Sequence, residues 1–309
     1  MPEERGAFKF DVVGLGLNAV DHLCVIPRFP RYEEKLRMTD FKRAGGGQVA
    51  SALVACSRWG LKAKYIGKVG GDEMGEFSYG ALEKEGIDLN HVVRVDGALN
   101  QFAFILVDAR TGERTIIWRR DKELEITPDE VPAEAVKQGE FLLLDGHDSH
   151  AAAKAAAIAS EAGVGVVVDA ETVKPGTGDM IQASRYVVCS QDFPRAFTGE
   201  SDVKDALRAI KDTGPVCVVS TLGKEGAMGL GEAGFTRSQG FKVDCIDSTG
   251  AGDVFHGAFV YGLTKGWELQ RILDFSNAAA ALNCTVLGAR GGIRPVEEIF
   301  DLIEMGERW

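Results

Sequence analysis

Short apolar runs that end in glycine or polar residues recur along the chain and alternate with stretches of helical length. Residues 10–16, 141–148 and 186–193 each start apolar and contain Gly, Asp, Ser or His towards their end. An Ala-rich segment, Ala151–Glu161, and a further apolar run, Val164–Val168, follow the second of these. Buried strands that alternate with helices predict an α/β fold with a largely parallel sheet, whose ligands bind beyond the carboxyl ends of the strands.

A different pattern occupies residues 91–120. It predicts three strands, His91–Val95, Gln101–Val107 and Arg114–Arg119, and the turn 108–113 between the last two is a hairpin signal. Residues 32–43 are mixed polar and apolar without a helical period, which favours an exposed strand. These strands form either a small separate sheet or part of a single core.

A glycine-rich turn lies between an alternating segment and an apolar run late in the chain. Residues 241–246 alternate like a strand, and residues 255–263 are apolar over a helical length. Gly250, Ala251 and Gly252 are therefore expected at a helix N-terminus, where free N–H groups and the helix dipole favour an anion. Asp253 adds a carboxylate beside this expected anion-binding site, which suits phosphoryl transfer. The alternative is a tight turn with an acid that merely favours the dipole.

The complete string from Asp247 to Gly257, Asp-Ser-Thr-Gly-Ala-Gly-Asp-Val-Phe-His-Gly, resembles the C-terminal signature of the ribokinase-like (PfkB) sugar kinases, which is close to Asp-Thr-Thr-Gly-Ala-Gly-Asp-x-Phe. The resemblance implies a three-layer α/β/α sandwich with a small β-sheet lid. It implies a single kinase domain over residues 1–309, with the lid formed by about 15–45 and 91–120. It also implies that Asp253 is the catalytic base and that the amides of Gly250, Ala251 and Gly252 form the anion hole.

The resemblance extends to the sugar site. Asp21, which precedes Phe29-Pro30, matches a family aspartate that binds sugar hydroxyls. Gly46 and Gly47 match the glycine pair of the motif Gly-Gly-x-x-x-Asn, but Ser51 stands at the Asn position. A hydroxyl offers fewer hydrogen bonds than a carboxamide, so this departure weakens the case for ribose as the substrate.

The nucleotide site is expected around residues 221–226, whose Thr-Leu-Gly-x-x-Gly resembles the family's nucleotide contact through Thr221, Gly223 and Gly226. The small-residue helix at 274–284 and the loop after it, through Asn277 and Gly288, are expected to wall the adenine pocket.

Two metal expectations also follow from the resemblance. Asp247 is the candidate for a monovalent cation, K⁺, and Asp169 for Mg²⁺ through water, with a plain strand-end acid as the alternative for Asp169. The family's Asn-x-x-Glu motif is absent, since Ser190 and Phe193 occupy its positions. In this respect the chain is similar to the ketohexokinase and sulfofructose kinase-like branch.

The composition and the net charge exclude several further classes of protein. The chain has 309 residues and a net charge of −11 from 46 acidic and 35 basic residues, which argues against a nucleic-acid partner. No apolar run reaches the roughly 18 residues that a membrane span needs, and the first six residues are polar, so a cytoplasmic location is expected. Six scattered cysteines without a Cys-x-x-Cys pair indicate neither a disulfide framework nor a metal site.

Together these features predict an ATP-dependent kinase that phosphorylates a primary hydroxyl of a small sugar of the ketohexose, pentose or sugar-acid type. ATP and Mg²⁺ are the expected cofactors, and the family's lid implies a homodimer. The alternatives are a nucleoside kinase and a sugar-binding regulator without activity.

Overall fold

The computed structural model describes residues 8–309, so the polar first residues considered above lie outside it. The helices are α1 Gln48–Arg58, α2 Glu73–Glu83, α3 Ala133–Val136, α4 Ser149–Glu161, α5 Thr177–Gln182, α6 Phe193–Thr198, α7 Val203–Lys211, α8 Ala251–Thr264, α9 Leu269–Asn283 and α10 Val296–Met305. The strands are β1 Phe10–Leu15, β2 Ala19–Ile26, β3 Asp40–Gly46, β4 Ala63–Gly70, β5 Asp88–Val95, β6 Phe102–Asp108, β7 Arg114–Arg119, β8 Gly139–Asp145, β9 Gly165–Ala170, β10 Tyr186–Cys189, β11 Cys217–Thr221, β12 Ala227–Gly231 and β13 Gly234–Ser238.

Nine strands form one large sheet in the order β13-β12-β11-β10-β9-β8-β1-β4-β5. All neighbours from β11 to β5 pair in parallel, and the pairings of β12 with β11 and with β13 at one edge are antiparallel. The carboxyl ends of the central strands therefore meet along one edge, where open α/β sheets bind their ligands.

Consecutive residues of the central strands point to opposite faces of the sheet. Val12 packs into a core with α1, α8 and α9, whereas Val13 packs into a second core with α4 and α7. Both residues are fully buried, as expected for parallel strands covered on both faces. The predicted three-layer α/β/α sandwich is confirmed.

A second, four-stranded sheet has the order β3-β2-β6-β7. We call it the small sheet. Its residues come from 19–46 and 102–119, and its apolar core contains Leu23, Ile105 and Val107. The hairpin predicted at 108–113 joins β6 to β7, and Arg114–Arg119 is β7 as predicted.

The structure corrects the prediction for His91–Val95. This segment was expected in the small sheet, but it belongs to β5, which pairs in parallel with β4 at the edge of the large sheet. A short apolar run does not itself indicate which sheet it joins. Helix α2 provides the crossover that a parallel partner of β4 requires.

The prediction of a strand at 241–246 is also wrong. Only Phe241 forms an isolated bridge, with Arg308. The alternation has another cause, because Phe241, Val243 and Cys245 line a cavity. In residues 8–309 no helix is both long and apolar enough to cross a bilayer.

Candidate active site

Two cavities lie at the carboxyl edge of the large sheet. The larger cavity, about 370 Å³, lies between the small sheet and the start of α8. The smaller cavity, about 290 Å³, lies between residues 240–248 and helix α9. Thr221 and Gly252 line both cavities, so the two spaces meet at the first turn of α8.

The turn before α8 requires a glycine. Gly250 is the N-cap residue with φ of 76°, and a Cβ there would overlap the backbone of Ala289. Gly250, Gly252 and Asp253 line the larger cavity, and Ala251 lines the smaller one. As predicted, the first-turn N–H groups lie at a helix N-terminus beside a cavity.

Asp253 lies in the first turn of α8. Burial raises the pKa of its carboxyl group to about 7, and the negative charges of Asp21 and Glu171 add to the increase. The positive charges of Arg114 and Arg290 act in the opposite direction. A carboxyl group with a pKa near neutrality can exchange a proton with a reacting hydroxyl at physiological pH.

Asp21 projects from β2 into the same cavity. Its side chain is buried, and burial raises its pKa to about 6, an effect that Arg290 partly offsets. A Cβ at Gly46, on the neighbouring strand, would overlap the Asp21 carboxylate, which explains the glycine. Gly47 lines the cavity next to it.

Arg290 is a central residue that the sequence reasoning missed. Its buried guanidinium donates to the carbonyl oxygen of Gly46 at 2.6 Å and, through Nε, to the hydroxyl of Ser51 at 3.2 Å. Burial lowers its pKa to about 10, while Asp21 and Asp253 act to raise it. Arg290 thus provides positive charge that acts on the carboxylates of Asp21 and Asp253.

Of the four predicted sugar residues, Asp21 and Gly47 line the larger cavity, whereas Gly46 and Ser51 do not. The side chain of Ser51 is completely buried, and its hydroxyl accepts the bond from Arg290. Ser51 is not among the residues that line either cavity in the described part of the chain. No pattern in the sequence indicates that an arginine from the loop after α9 contacts this position.

A cluster of polar side chains shares the wall of the larger cavity with Asp253. Gln48 donates through Nε2 to Asp169 at 3.1 Å and to Glu171 at 3.3 Å, and His256 Nε2 lies 3.4 Å from Asp169 Oδ1. Burial, followed by the charges of Asp253 and Glu171, raises the pKa of Asp169 well above its usual value. Burial lowers the pKa of His256 to about 4, so that its ring is neutral at pH 7.

No group of three or more His, Cys, Asp or Glu side chains in residues 8–309 is arranged to hold a metal ion unaided. Asp169 and Glu171 nevertheless face the larger cavity together with Asp253. Mg²⁺ typically keeps several waters and is held by one or two carboxylates together with substrate phosphates. The acids present fit that mode of binding.

Asp247 is fully buried just before the turn. Its Oδ1 accepts hydrogen bonds from the N–H and the hydroxyl of Thr249 at 2.9 and 2.6 Å, and its Oδ2 accepts from the N–H of Gly288 at 2.8 Å. Asp247 therefore joins the turn to the loop after α9. Gly288 is held by this bond and is not among the residues lining the smaller cavity.

The smaller cavity brings together most of the predicted nucleotide residues. Thr221, Gly223, Gly226 and Asn277 all line it. Asn277 is fixed by hydrogen bonds from its Nδ2 to the carbonyl oxygen and the hydroxyl of Ser238, at 3.1 and 2.9 Å. Much of the remaining wall is apolar or small, formed by Phe241, Val243, Phe255, Ala280, Ala281 and Trp309.

The small sheet provides the other wall of the larger cavity. Arg114 and Trp118 of β7 line it, and the Arg114 guanidinium donates to the hydroxyl of Ser248 at 2.8 Å. The end of β7 is joined to the main body by two hydrogen bonds of 2.7 Å from Arg120 to Asp148. The sequence pattern placed this strand correctly but did not single out Arg114.

A three-layer α/β fold with a carboxylate beside a helix N-terminus, between a polar and an apolar cavity, defines a phosphotransferase that uses an alcohol group as acceptor. Residues 10–295 match the model of the pfkB family of carbohydrate kinases, and the chain belongs to this family. It is an ATP-dependent sugar kinase.

The chain is 30% identical to a ribokinase of Haemophilus influenzae over 300 residues, covering 94% of this chain and 97% of that protein. It is 26% identical to a 5-dehydro-2-deoxygluconokinase of Clostridium perfringens over 323 residues, covering 96% and 93% of the two chains. The crystal structure of a Thermotoga maritima ribokinase matches with a TM-score of 0.80 at 23% identity, over 96% of this chain and 99% of that one. An Arabidopsis thaliana ribokinase complexed with ribose and ATP matches with the same TM-score at 20% identity, over 96% and 99%. These two structures support the fold.

Proposed function

We propose that the acceptor sugar binds in the larger cavity, that ATP binds in the smaller cavity, and that the γ-phosphoryl group crosses between them at the first turn of α8. The observation that carries this proposal is that the two cavities share Gly252, next to Asp253. A phosphate that extends from the smaller cavity would meet the helix N-terminus at this point, where N–H groups and the helix dipole favour negative charge.

Asp253 is the proposed general base. Its pKa of about 7 leaves a substantial carboxylate fraction at neutral pH, and that carboxylate accepts the proton of the attacking primary hydroxyl. The amides of Gly250, Ala251 and Gly252 stabilise the negative charge that develops on the transferred group. The oxygen–phosphorus bond to ADP breaks as the bond to the sugar oxygen forms.

Asp21 is the proposed anchor for the other hydroxyls of the sugar. Its buried carboxylate can accept two hydrogen bonds from the sugar. Gly46 leaves room for this carboxylate, and Gly47 lies on the cavity wall, where the sugar would approach its backbone. Because Ser51 is turned towards Arg290, we assign it a role in holding Arg290 rather than a direct contact with the sugar.

The acceptor is proposed to be a pentose, a ketohexose or a sugar acid. Named relatives act on ribose and on 5-dehydro-2-deoxygluconate. Arg114 places a positive charge on the wall of the larger cavity, where it would favour a substrate carboxylate or the incoming phosphoryl group.

ATP would bring Mg²⁺, which neutralises phosphate charge when bound, and Asp169 would contact it through water. A ribokinase-like neighbour from Escherichia coli was solved in complex with ATP and Mg²⁺. A monovalent cation such as K⁺ would lie at Asp247 and share oxygens that already accept three hydrogen bonds.

A homodimer through the outer face of the small sheet is also part of the proposal. His22 stacks against Phe41 and Phe104 on this face, with ring centroids 6.0 and 5.1 Å apart. Phe41, Phe104 and Ile117 are 51%, 45% and 58% exposed, which leaves an apolar patch uncovered. A Phe104→Glu variant should therefore be a monomer, as measured by size-exclusion chromatography with light scattering.

The six free cysteines support a reducing, cytoplasmic location.

The test of the proposed function is ADP release with Mg²⁺ and ATP across a panel of ribose, fructose, tagatose, 2-keto-3-deoxygluconate, 5-dehydro-2-deoxygluconate, sulfofructose and adenosine. One strong sugar acceptor, lost in Asp253→Asn but kept in Asp192→Asn at the exposed N-cap position of α6, is the expected result. A preference for adenosine would instead favour a nucleoside kinase. Sugar binding without any turnover would contradict the assignment of Asp253.

A further inference from the structure

The residues after α10 fold back onto the smaller cavity. The N–H of Lys242 donates to the carbonyl oxygen of Glu307 at 2.8 Å, and the N–H of Trp309 donates to that of Gly240 at 3.1 Å. Phe241 and Arg308 form the bridge between these two bonds. This short ladder carries the indole of Trp309 to the wall of the cavity.

The indole is held in place but is only half covered. Its Nε1–H donates to the carbonyl oxygen of Phe241 at 3.1 Å, so its one polar group is satisfied. The side chain is nevertheless 50% exposed and belongs to the cavity lining. A large aromatic ring that is oriented by a hydrogen bond and yet open on a cavity can serve as a binding platform.

The surroundings of the ring favour a flat ligand that carries negative charge. The cavity wall includes the small residues Ala280 and Ala281 of α9, which leave room for a planar group. Lys224 Nζ lies 5.2 Å from the centre of an indole ring of Trp309 and is the nearby cation for a phosphate. Lys242 Nζ lies 5.7 Å from a ring centre but pairs with Glu307. A nucleotide combines a planar base with anionic phosphates.

We infer that Trp309 is a nucleotide-specificity residue whose indole stacks on the base of ATP at the mouth of the smaller cavity. This inference rests on the proposed placement of ATP in that cavity. Stacking of a base on an aromatic side chain typically contributes 1–3 kcal/mol by alanine substitution, and every tenfold change in affinity corresponds to about 1.4 kcal/mol. Loss of the aromatic ring should therefore weaken ADP binding about 10-fold.

Tryptophan fluorescence tests the contact itself. The chain has four tryptophans, and Trp267 packs against Phe275 and Phe300 without lining either cavity. Titration with ADP should quench the fluorescence of the wild type and of a Trp267→Phe control, and the ADP-dependent quench should disappear in Trp309→Phe. Persistence of the full quench in Trp309→Phe would overturn the inference.

Calorimetry separates stacking from simple packing. ADP should bind Trp309→Leu about 10-fold more weakly than wild type and Trp309→Phe only about 2- to 3-fold more weakly, because phenylalanine keeps a ring. Inhibition by tripolyphosphate, which has phosphates but no base, should be the same in all three proteins. Equal ADP affinities in wild type and Trp309→Leu, or an equal loss for tripolyphosphate, would overturn the inference while leaving the proposed function intact. Failure of ADP to bind the wild type would overturn both.

Discussion

The two cavities that meet at the first turn of α8 are lined by residues of different chemical character. The larger cavity is surrounded by ionisable groups, and burial raises the pKa values of Asp21 and Asp253 to about 6 and 7. The smaller cavity is lined largely by glycines, alanines and aromatic rings. In the proposed function, the proton transfer takes place in the larger cavity, where burial and neighbouring charges set the pKa values of the acids. The nucleotide is recognised in the smaller cavity, mainly through its shape and apolar area.

Replacement of Asp253 should separate catalysis from nucleotide binding more strongly than any other change. Asp253→Asn removes the base but keeps the size of the side chain, so kcat should fall by about 10²-fold or more. The Kd for ADP, measured by calorimetry, should stay within about 2-fold of wild type because the smaller cavity is unchanged. A variant that keeps full turnover would remove Asp253 from the mechanism.

Replacement of Asp21 should affect the sugar alone. Hydrogen bonds to a charged group typically contribute 1.5–3 kcal/mol, so Asp21→Asn should lower kcat/KM for the sugar by about 10- to 100-fold and leave KM for ATP nearly unchanged. Asp40→Asn, on the exposed part of β3, is the matched control and should behave as wild type. If KM for ATP rose as much as KM for the sugar, the separate roles of the cavities would be refuted.

Replacement of Arg290 should change the pH at which the larger cavity works. The guanidinium lowers the pKa of Asp253, so Arg290→Gln should raise that pKa and move the acidic limb of the kcat/KM profile to higher pH, by at most about one unit. Arg110→Gln removes an exposed arginine that pairs with Asp108, and it serves as the control. An unchanged or lower midpoint in Arg290→Gln would contradict the electrostatic account.

Replacement of Ser51 should have the smallest effect on activity. Because its hydroxyl faces Arg290 rather than the cavity, Ser51→Ala should change KM for the sugar by less than about 2-fold. The lost acceptor should instead lower the free energy of unfolding by about 1 kcal/mol, measured by denaturant titration. A large rise in the sugar KM, with stability unchanged, would restore a direct sugar contact for this residue.

The sequence predicted the fold and the position of the catalytic turn because both depend on local patterns. The strand and helix periods predicted an α/β fold with a largely parallel sheet, and the family resemblance implied its three layers. The glycine-rich string placed Asp253 at the start of α8. The strand at His91–Val95 was assigned to the wrong sheet because its pairing with β4 is a long-range choice. The alternation at 241–246 reflected a cavity wall rather than a sheet.

Arg290, Arg114 and His256 were missed for a physical reason. Each acquires its importance from a neighbour distant in sequence, such as Ser51 for Arg290, Ser248 for Arg114 and Asp169 for His256. The direction of a pKa shift likewise depends on burial and on charges that only the folded chain brings together. Motif spacing can identify Asp253, but it does not give that residue its pKa of about 7.

The pH dependence of kcat/KM for the sugar, which reports the pKa values of the enzyme before the sugar binds, tests the central claim most directly. A base with a raised pKa is inactive when protonated, so activity is lost as the pH falls through that value. The account predicts a single acidic limb with a midpoint near pH 7, absent from the residual rate of Asp253→Asn. A profile that stays flat down to about pH 5, as for a carboxyl group with an ordinary pKa, would contradict the account.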